Sequence, residues 1–246
     1  PATLSPTEDS SGAGWYNLGA AREGFLPGRC SQKAMEPPMI VIVDYKMGNL
    51  DSVVRALTRV GAPVCVSADP AVVGAASGLV LPGVGAFAQA MRNLADDGLL
   101  PVLHRKVLEE KTPVLGICLG FQLMSDHGEE GDADGLGWIG GVTRRFRFPE
   151  GAAPKIPHMG WNDLTPRQAD NPLLDGLDPA ACFYFAHSYH VTDPRPECVA
   201  TVTEYGETFV SSARLGNIFG TQFHPEKSYL NGLRLLRNFA GLAAHA

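Results

Sequence analysis

No run of lysine or arginine exceeds a pair such as Arg144 and Arg145, and 26 acidic residues outnumber 20 basic ones, for a net charge of −6. That speaks against a surface for nucleic acid or an anionic membrane and points to small molecules or proteins as partners. No apolar run approaches the roughly 18 residues that a spanning helix needs, and no basic stretch, apolar core and cleavage site line up as a signal peptide. A soluble, cytoplasmic protein is expected. The five cysteines, Cys30, Cys65, Cys118, Cys182 and Cys198, are odd in number, far apart and without a Cys-x-x-Cys pair. No histidine cluster at zinc spacing accompanies them, so the expectation is reduced thiols, one of them a catalytic candidate, with no metal and no cofactor.

What is present suits one sizeable domain: 246 residues, 45% of them apolar, can bury a full core. Residues 1–37 are rich in Ser, Gly, Ala and Pro and carry no sustained period. They read as a poorly ordered extension ahead of a domain at 38–246, with Met35 and Met39 as candidate functional starts. Met39 to Asp44 is a continuous apolar run of the buried parallel type. Val53, Val54, Leu57 and Val60 then recur at helical spacing, with Asn49 or Asp51 to cap the start and Gly61 to end the helix. Strands are expected at Pro63 to Val66, Gly78 to Leu81 and Pro113 to Ile117. Helices are expected from Asp69–Pro70, over Phe87 to Leu94, Leu99 to Leu108 and Leu119 to Asp126. This alternation predicts an α/β fold with a doubly wound, mostly parallel sheet flanked by helices. Past Gly128, short β-rich runs at Val142 to Phe148, Cys182 to Ala186, Val199 to Tyr205 and Ile218 to Phe223 predict antiparallel strands extending that sheet, before a closing helix from Leu230 to Ala243.

The chain turns chemical at Gly116-Ile117-Cys118-Leu119-Gly120, at the end of a predicted strand and the start of a helix. Gly-x-Cys-x-Gly there is the cysteine form of a nucleophile elbow, which lifts the reactive side chain above the sheet. A thiolate at Cys118 would gain from the positive end of the helix dipole. It needs a base, and His224-Pro225-Glu226 supplies one: residues two apart on an extended segment share a face, so Glu226 can orient the His224 ring. Pro82-Gly83-Val84-Gly85 follows another strand, where Val84 N–H together with Leu119 N–H can form an oxyanion hole. Taken singly, each piece has a plainer reading: a buried structural cysteine, a strand-to-loop corner, an ordinary turn. A phosphate loop at Gly83 lacks both the Gly-Lys-Ser/Thr ending and the Gly-x-Gly-x-x-Gly spacing.

In this order, Pro-Gly-x-Gly, Gly-x-Cys-x-Gly-x-Gln and His-Pro-Glu resemble the class I (triad) glutamine amidotransferases, over residues 39 to about 243. The stretches Asp44-Tyr45-Lys46-Met47-Gly48-Asn49, Pro157-His158-Met159-Gly160-Trp161-Asn162 and Gly220-Thr221-Gln222-Phe223-His224 narrow the resemblance to the glutaminase subunits of imidazole glycerol phosphate synthase. Lys46 departs from the small residue usual at its position. A sister glutaminase of another biosynthetic pathway, or a catalytically silent regulatory subunit, is the alternative.

The resemblance implies hydrolysis of glutamine to glutamate and ammonia. Cys118 is then the nucleophile, His224 the general base and acid, and Glu226 its orienting group. It further implies glutamine held around Gly85, Gln122 and Glu130 and by the backbone of His187, Ser188 and Tyr189, with Asn49, Tyr184 and Lys227 facing a partner. By sequence alone Glu130 reads first as a solvated acid in the run Glu129-Glu130, and the last three read equally as ordinary exposed or half-buried residues. The implied partner is a β/α-barrel cyclase subunit forming a heterodimer, and a barrel of roughly 250 residues has no room in this chain. A peptide flip at Gly83 is the expected control point, turning either a carbonyl or an N–H toward the oxyanion hole.

Overall fold

A computed structural model describes residues 39–148 and 154–245. The expected extension at 1–37 lies outside the described residues.

The first half follows the predicted alternation. Strand β1 (Ile40–Val43) leads through helix α1 (Leu50–Arg59) to β2 (Val64–Ser67). The short α2 (Pro70–Gly74) connects to β3 (Gly78–Leu81), and α3 (Phe87–Asp96) and α4 (Leu99–His104) connect that to β4 (Val114–Ile117). Local chemistry places the starts: the Asn49 side chain accepts from Ser52 N–H at 3.3 Å, and the Asp69 side chain accepts from Ala71 N–H at 2.8 Å. The chain beyond α4 loosens into a wider π turn over Arg105–Glu109. After β4, α5 covers only Leu119–Gln122, shorter than the predicted 119–126. The Gln122 carbonyl there is taken by the hydroxyls of Ser125 (2.8 Å) and Thr143 (3.1 Å), which draws the backbone out of the helix.

The second half departs further. Strands β5 (His127–Gly128), β6 (Ala133–Asp134) and β7 (Val142–Arg145) precede β8 (His158–Asp163), β9 (Thr165–Pro166) and β10 (Cys182–His187). Then come β11 (Tyr189–Thr192), β12 (Val199–Glu204), β13 (Thr208–Leu215), β14 (Ile218–Thr221) and the closing helix α6 (Tyr229–Ala244). Among the described residues the main sheet runs β2-β1-β3-β4-β14-β13-β12-β9. Its pairs from β2 to β14 are parallel, and those from β14 to β9 antiparallel.

Three expectations are corrected. β14 is parallel to β4, not antiparallel. β7 and β10 do not extend the main sheet: β7 pairs with β11 and β5, and β10 with β8, in two smaller sheets. β8, β11 and β13 were not predicted as strands. β8 puts Met159 and Trp161 outward, inverting the usual apolar-in pattern, while β13 buries Ser211 and Ser212, whose hydroxyls bond Thr201 at 2.8 and 2.7 Å.

The core lies on both faces of the main sheet, as strand alternation requires. Val41, Val43, Leu79 and Leu81 face Val72, Leu94, Leu103 and Phe121 on one side. Ile40, Ile42, Val80 and Ile117 face Val53, Leu57, Leu235 and Phe239 of α1 and α6 on the other. The parallel strands end at one edge, so the loops after β1, β3, β4 and β14 converge there, where α/β sheets hold their ligands.

Candidate active site

Cys118 is the residue between β4 and α5, with φ 52° and ψ −102°. This strained turn exists because its flanks are stripped of side chains. A Cβ on Gly120 would collide with the Leu81 carbonyl, so the helix can pass β3 only with glycine. Register does the rest: Thr221 pairs with Ile117, and Cys118 N–H donates to Thr221 O at 2.7 Å, so the segment after β14 lies beside the cysteine.

That segment brings His224 and Glu226 to the elbow. His224 Nδ1 and Glu226 Oε1 are 2.8 Å apart, with both side chains nearly excluded from water at 2% and 4% exposure. The second imidazole nitrogen, Nε2, is buried without a hydrogen-bond partner among the described residues. Burial presses the His224 pKa down, but the Cys118 sulfur and the Glu226 carboxylate together outweigh it and hold it up at about 9. The ring, between the Glu226 carboxylate and the Cys118 sulfur, is therefore built to keep a proton at neutral pH.

A cavity of about 450 Å³ opens over Cys118. Val84, Gly85, Leu119, Gln122, Glu130, His187, Ser188 and Tyr189 all line it, so the fold gathers every residue expected around glutamine. Glu130 has a second task that sequence could not show. Its Oε2 accepts Phe87 N–H at 2.9 Å, capping α3, whose own N-cap residue Ala86 offers no side-chain acceptor. In the 187–189 stretch, Ser188 O accepts Phe146 N–H at 3.0 Å, and Tyr189 O accepts from the Gln122 side chain at 2.8 Å.

The expected oxyanion pair is not free. Leu119 N–H points to Gly83 O at 3.4 Å, so a carbonyl stands where the hole needs a donor. Tyr45, given no role from sequence, is fully buried beneath this turn and donates its hydroxyl to Pro82 O. Burial first, then the nearby Cys118 sulfur, pushes that phenol far above its ordinary pKa, so it remains a donor.

The three residues expected to face a partner are linked through neighbours: the Ser52 bonded to Asn49 and exposed Lys227 line one cavity with Tyr229. This second cavity, of about 430 Å³, also takes in Arg55 and Arg59 and reaches Glu226. Tyr184 lies edge-on to Trp161 at 5.9 Å, and Trp161 stacks on Tyr229 at 5.3 Å. With Met159 and Leu230 these rings make an exposed apolar surface beside the His224 segment: Tyr229 is 78% exposed and Leu230 77%. Among the described residues no group of three or more His, Cys, Asp or Glu side chains could hold a metal ion, and no helix is long and apolar enough to cross a membrane.

Comparisons with known proteins agree with this architecture. Residues 41–241 match the family model "Glutamine amidotransferase class-I". The imidazole glycerol phosphate synthase subunit HisH of Desulfovibrio desulfuricans is 49% identical, covering 82% of this chain and 93% of its own. The HisH subunit of Moorella thermoacetica is 48% identical, covering 84% and 96%. Among solved structures, a glutamine amidotransferase superposes with a TM-score of 0.64 at 20% identity, covering 82% of this chain and 98% of that one. The Trypanosoma brucei CTPS glutaminase domain does so with 0.61 at 14%, covering 85% and 94%, and both likenesses speak to the fold alone. With a family model spanning most of its length and relatives near half identical over almost their whole chains, the protein belongs to the class I glutamine amidotransferases, among the HisH subunits of imidazole glycerol phosphate synthase.

Proposed function

We propose that the chain hydrolyses glutamine to glutamate and ammonia at Cys118, and hands the ammonia to a separate cyclase subunit in histidine biosynthesis. The observation that carries this reading is the buried 2.8 Å His224–Glu226 pair beside a cysteine on a strained elbow, in a cavity with Gln122 and Glu130.

The Cys118 sulfur attacks the side-chain amide carbon, and the carbonyl oxygen becomes an oxyanion. His224, holding the proton taken from the Cys118 thiol, gives it to the amide nitrogen, which leaves as ammonia as the tetrahedral intermediate collapses to a glutamyl thioester. Neutral again, the ring takes a proton from water, whose oxygen cleaves the thioester to glutamate, and passes that proton to the released sulfur to restore the thiol. Glu226 fixes the ring's tautomer through Nδ1 and stabilises the imidazolium. Glu130 pairs with the ammonium of the substrate, and Gln122 offers its amide.

The Gly83 carbonyl facing Leu119 N–H marks a resting state in this reading. Rotating the Gly83–Val84 peptide removes that carbonyl and substitutes Val84 N–H, completing a two-donor hole. A cyclase barrel docking on the Trp161, Tyr184 and Tyr229 surface would touch the strand whose Met159 lines the catalytic cavity, coupling docking to the site. A closed joint there also keeps ammonia from protonating in bulk water. The thiols of Cys118, Cys182 and Cys198, outside any disulfide among the described residues, suit the reducing cytoplasm.

The test is glutamate release by the purified chain, alone and with a cyclase subunit and its ribotide ligand, with Cys118→Ala as control. Stimulation that vanishes in the variant supports the reading. Equal rates with and without cyclase leave a glutaminase of another pathway, and no release in either case favours a silent regulatory subunit.

A further inference from the structure

Behind the catalytic cysteine a chain of buried hydrogen bonds has every direction set by one backbone carbonyl. Tyr189 O can only accept. It takes Gln122 Nε2 at 2.8 Å and His187 Nδ1 at 2.8 Å, which fixes the orientation of the glutamine amide and the tautomer of the histidine. The same Gln122 nitrogen lies 3.1 Å from the Gln222 side chain, so Gln222 must present its oxygen there. Its own nitrogen is thereby turned to Cys118 Sγ, at 3.6 Å. Gln222 is wholly buried, and Gln122 nearly so.

We infer that Gln222 is a positioning residue: its amide donates to the Cys118 sulfur and locks Gln122 so that only the Gln122 oxygen is left for the substrate. The inference rests on the reading of Cys118 as nucleophile and deepens it. With both Gln122 amide hydrogens occupied by Tyr189 O and Gln222 Oε1, that side chain can serve a ligand only as an acceptor, which suits an ammonium or amide N–H and rejects a carboxylate. A hydrogen bond to an ionised acceptor is stronger than one to a neutral group, so the Gln222 donor favours the thiolate over the thiol. Gln222 directly follows β14, and the Cys118 sulfur also faces the His224 ring and the buried Tyr45 phenol, both of which stay in place in the variants below, with the Ala186 carbonyl farther off at 4.0 Å.

The test is alkylation of Cys118 by iodoacetamide as a function of pH, read peptide by peptide so that the other cysteines do not interfere. Gln222→Met keeps the shape and removes both donor and acceptor. The midpoint of Cys118 labelling should rise by about one pH unit, the size expected for loss of one charge-assisted bond. Cyclase-stimulated kcat should fall at least about tenfold, with KM for glutamine raised because Gln122 is no longer locked. Gln122→Met should shift the midpoint in the same direction by less, and the double variant should shift it no further than Gln222→Met alone. Should the methionine unfold the chain, Gln222→Asn, one methylene shorter, withdraws the amide from the sulfur while staying polar, and the same shift is expected. An unshifted midpoint in folded variants overturns the inference, as do strictly additive shifts. A shifted midpoint in a chain whose wild type releases no glutamate would instead sink the glutaminase reading and leave the Gln222 bond standing.

Discussion

Leu119 donates its backbone N–H to the Gly83 carbonyl at 3.4 Å, across the turn that faces Cys118. This single bond occupies one of the two donors of the proposed oxyanion hole. A Cβ on Gly83 would meet Tyr45 Oη at 2.6 Å and Leu119 Cβ at 2.7 Å, a packing possible only for glycine in this conformation. Gly83→Ala should therefore disfavour the resting turn and cut the ratio of cyclase-stimulated to basal glutaminase by about tenfold, the effect of 1.4 kcal/mol on one state. Steady-state glutamate release with and without cyclase reads that ratio, and an unchanged value places the control elsewhere.

Glu226→Gln keeps the size of the group that orients His224 but removes its charge. By analogy with other triads, kcat should fall by about 10³–10⁴ while glutamine binding is nearly kept, since the variant touches the base and not the substrate. A loss confined to KM would show that Glu226 acts on binding instead.

Glu130 caps α3 and has a proposed role in holding glutamine, and substitutions can separate the two. Glu130→Gln retains an oxygen to cap Phe87 N–H but no charge, so KM for glutamine should rise about tenfold or more with little change in melting temperature. Glu130→Ala should add a loss of about 1 kcal/mol in stability from the uncapped α3. Urea melts and substrate titrations of the pair distinguish them.

Stability should depend on pH in opposite senses through different histidines. The His224 pKa is raised to about 9, so its contribution is complete below the unfolded value near 6.5 and is lost as pH climbs through about 9. His158 and His190, pushed down by burial to about 4, behave the other way, as does His187, which burial holds well below its ordinary value. Below about pH 6.5 the unfolded chain binds protons that these rings refuse in the fold. Stability then falls toward pH 4, at up to about 1.4 kcal/mol per pH unit for each ring. Urea unfolding across pH 4–10 should show both limbs, with the alkaline one flattened in His224→Gln.

The exposed ring stack gives a prediction about assembly. Trp161→Ala and Tyr229→Ala should each weaken cyclase binding by about 2 kcal/mol or more, the behaviour of aromatic anchors, and leave the melting temperature of the isolated chain nearly unchanged. Calorimetric titration measures the first and thermal melts the second. Unaltered affinity in both variants moves the docking face away from this stack.

The sequence by itself determined the parallel half of the fold and the elbow at Cys118, because both are written in local terms. Buried parallel strands such as Ile40–Val43 and Val114–Ile117 are continuous apolar runs, and the elbow needs small residues within two positions of Cys118. His224 and Glu226 were legible for the same reason, being two residues apart on one face of an extended segment. Tertiary structure alone decided what depends on distant segments meeting. β8 turns Met159 and Trp161 outward and β13 buries serines, so their burial patterns no longer report strands. The cap that Glu130 places on Phe87 spans 43 positions of sequence, the contact of Gln222 with Cys118 spans 104, and the closed oxyanion turn depends on Tyr45 held beneath it. Periodicity and turn chemistry act over a few residues; hydrogen bonds between strand ends exist only once the sheet has set their register.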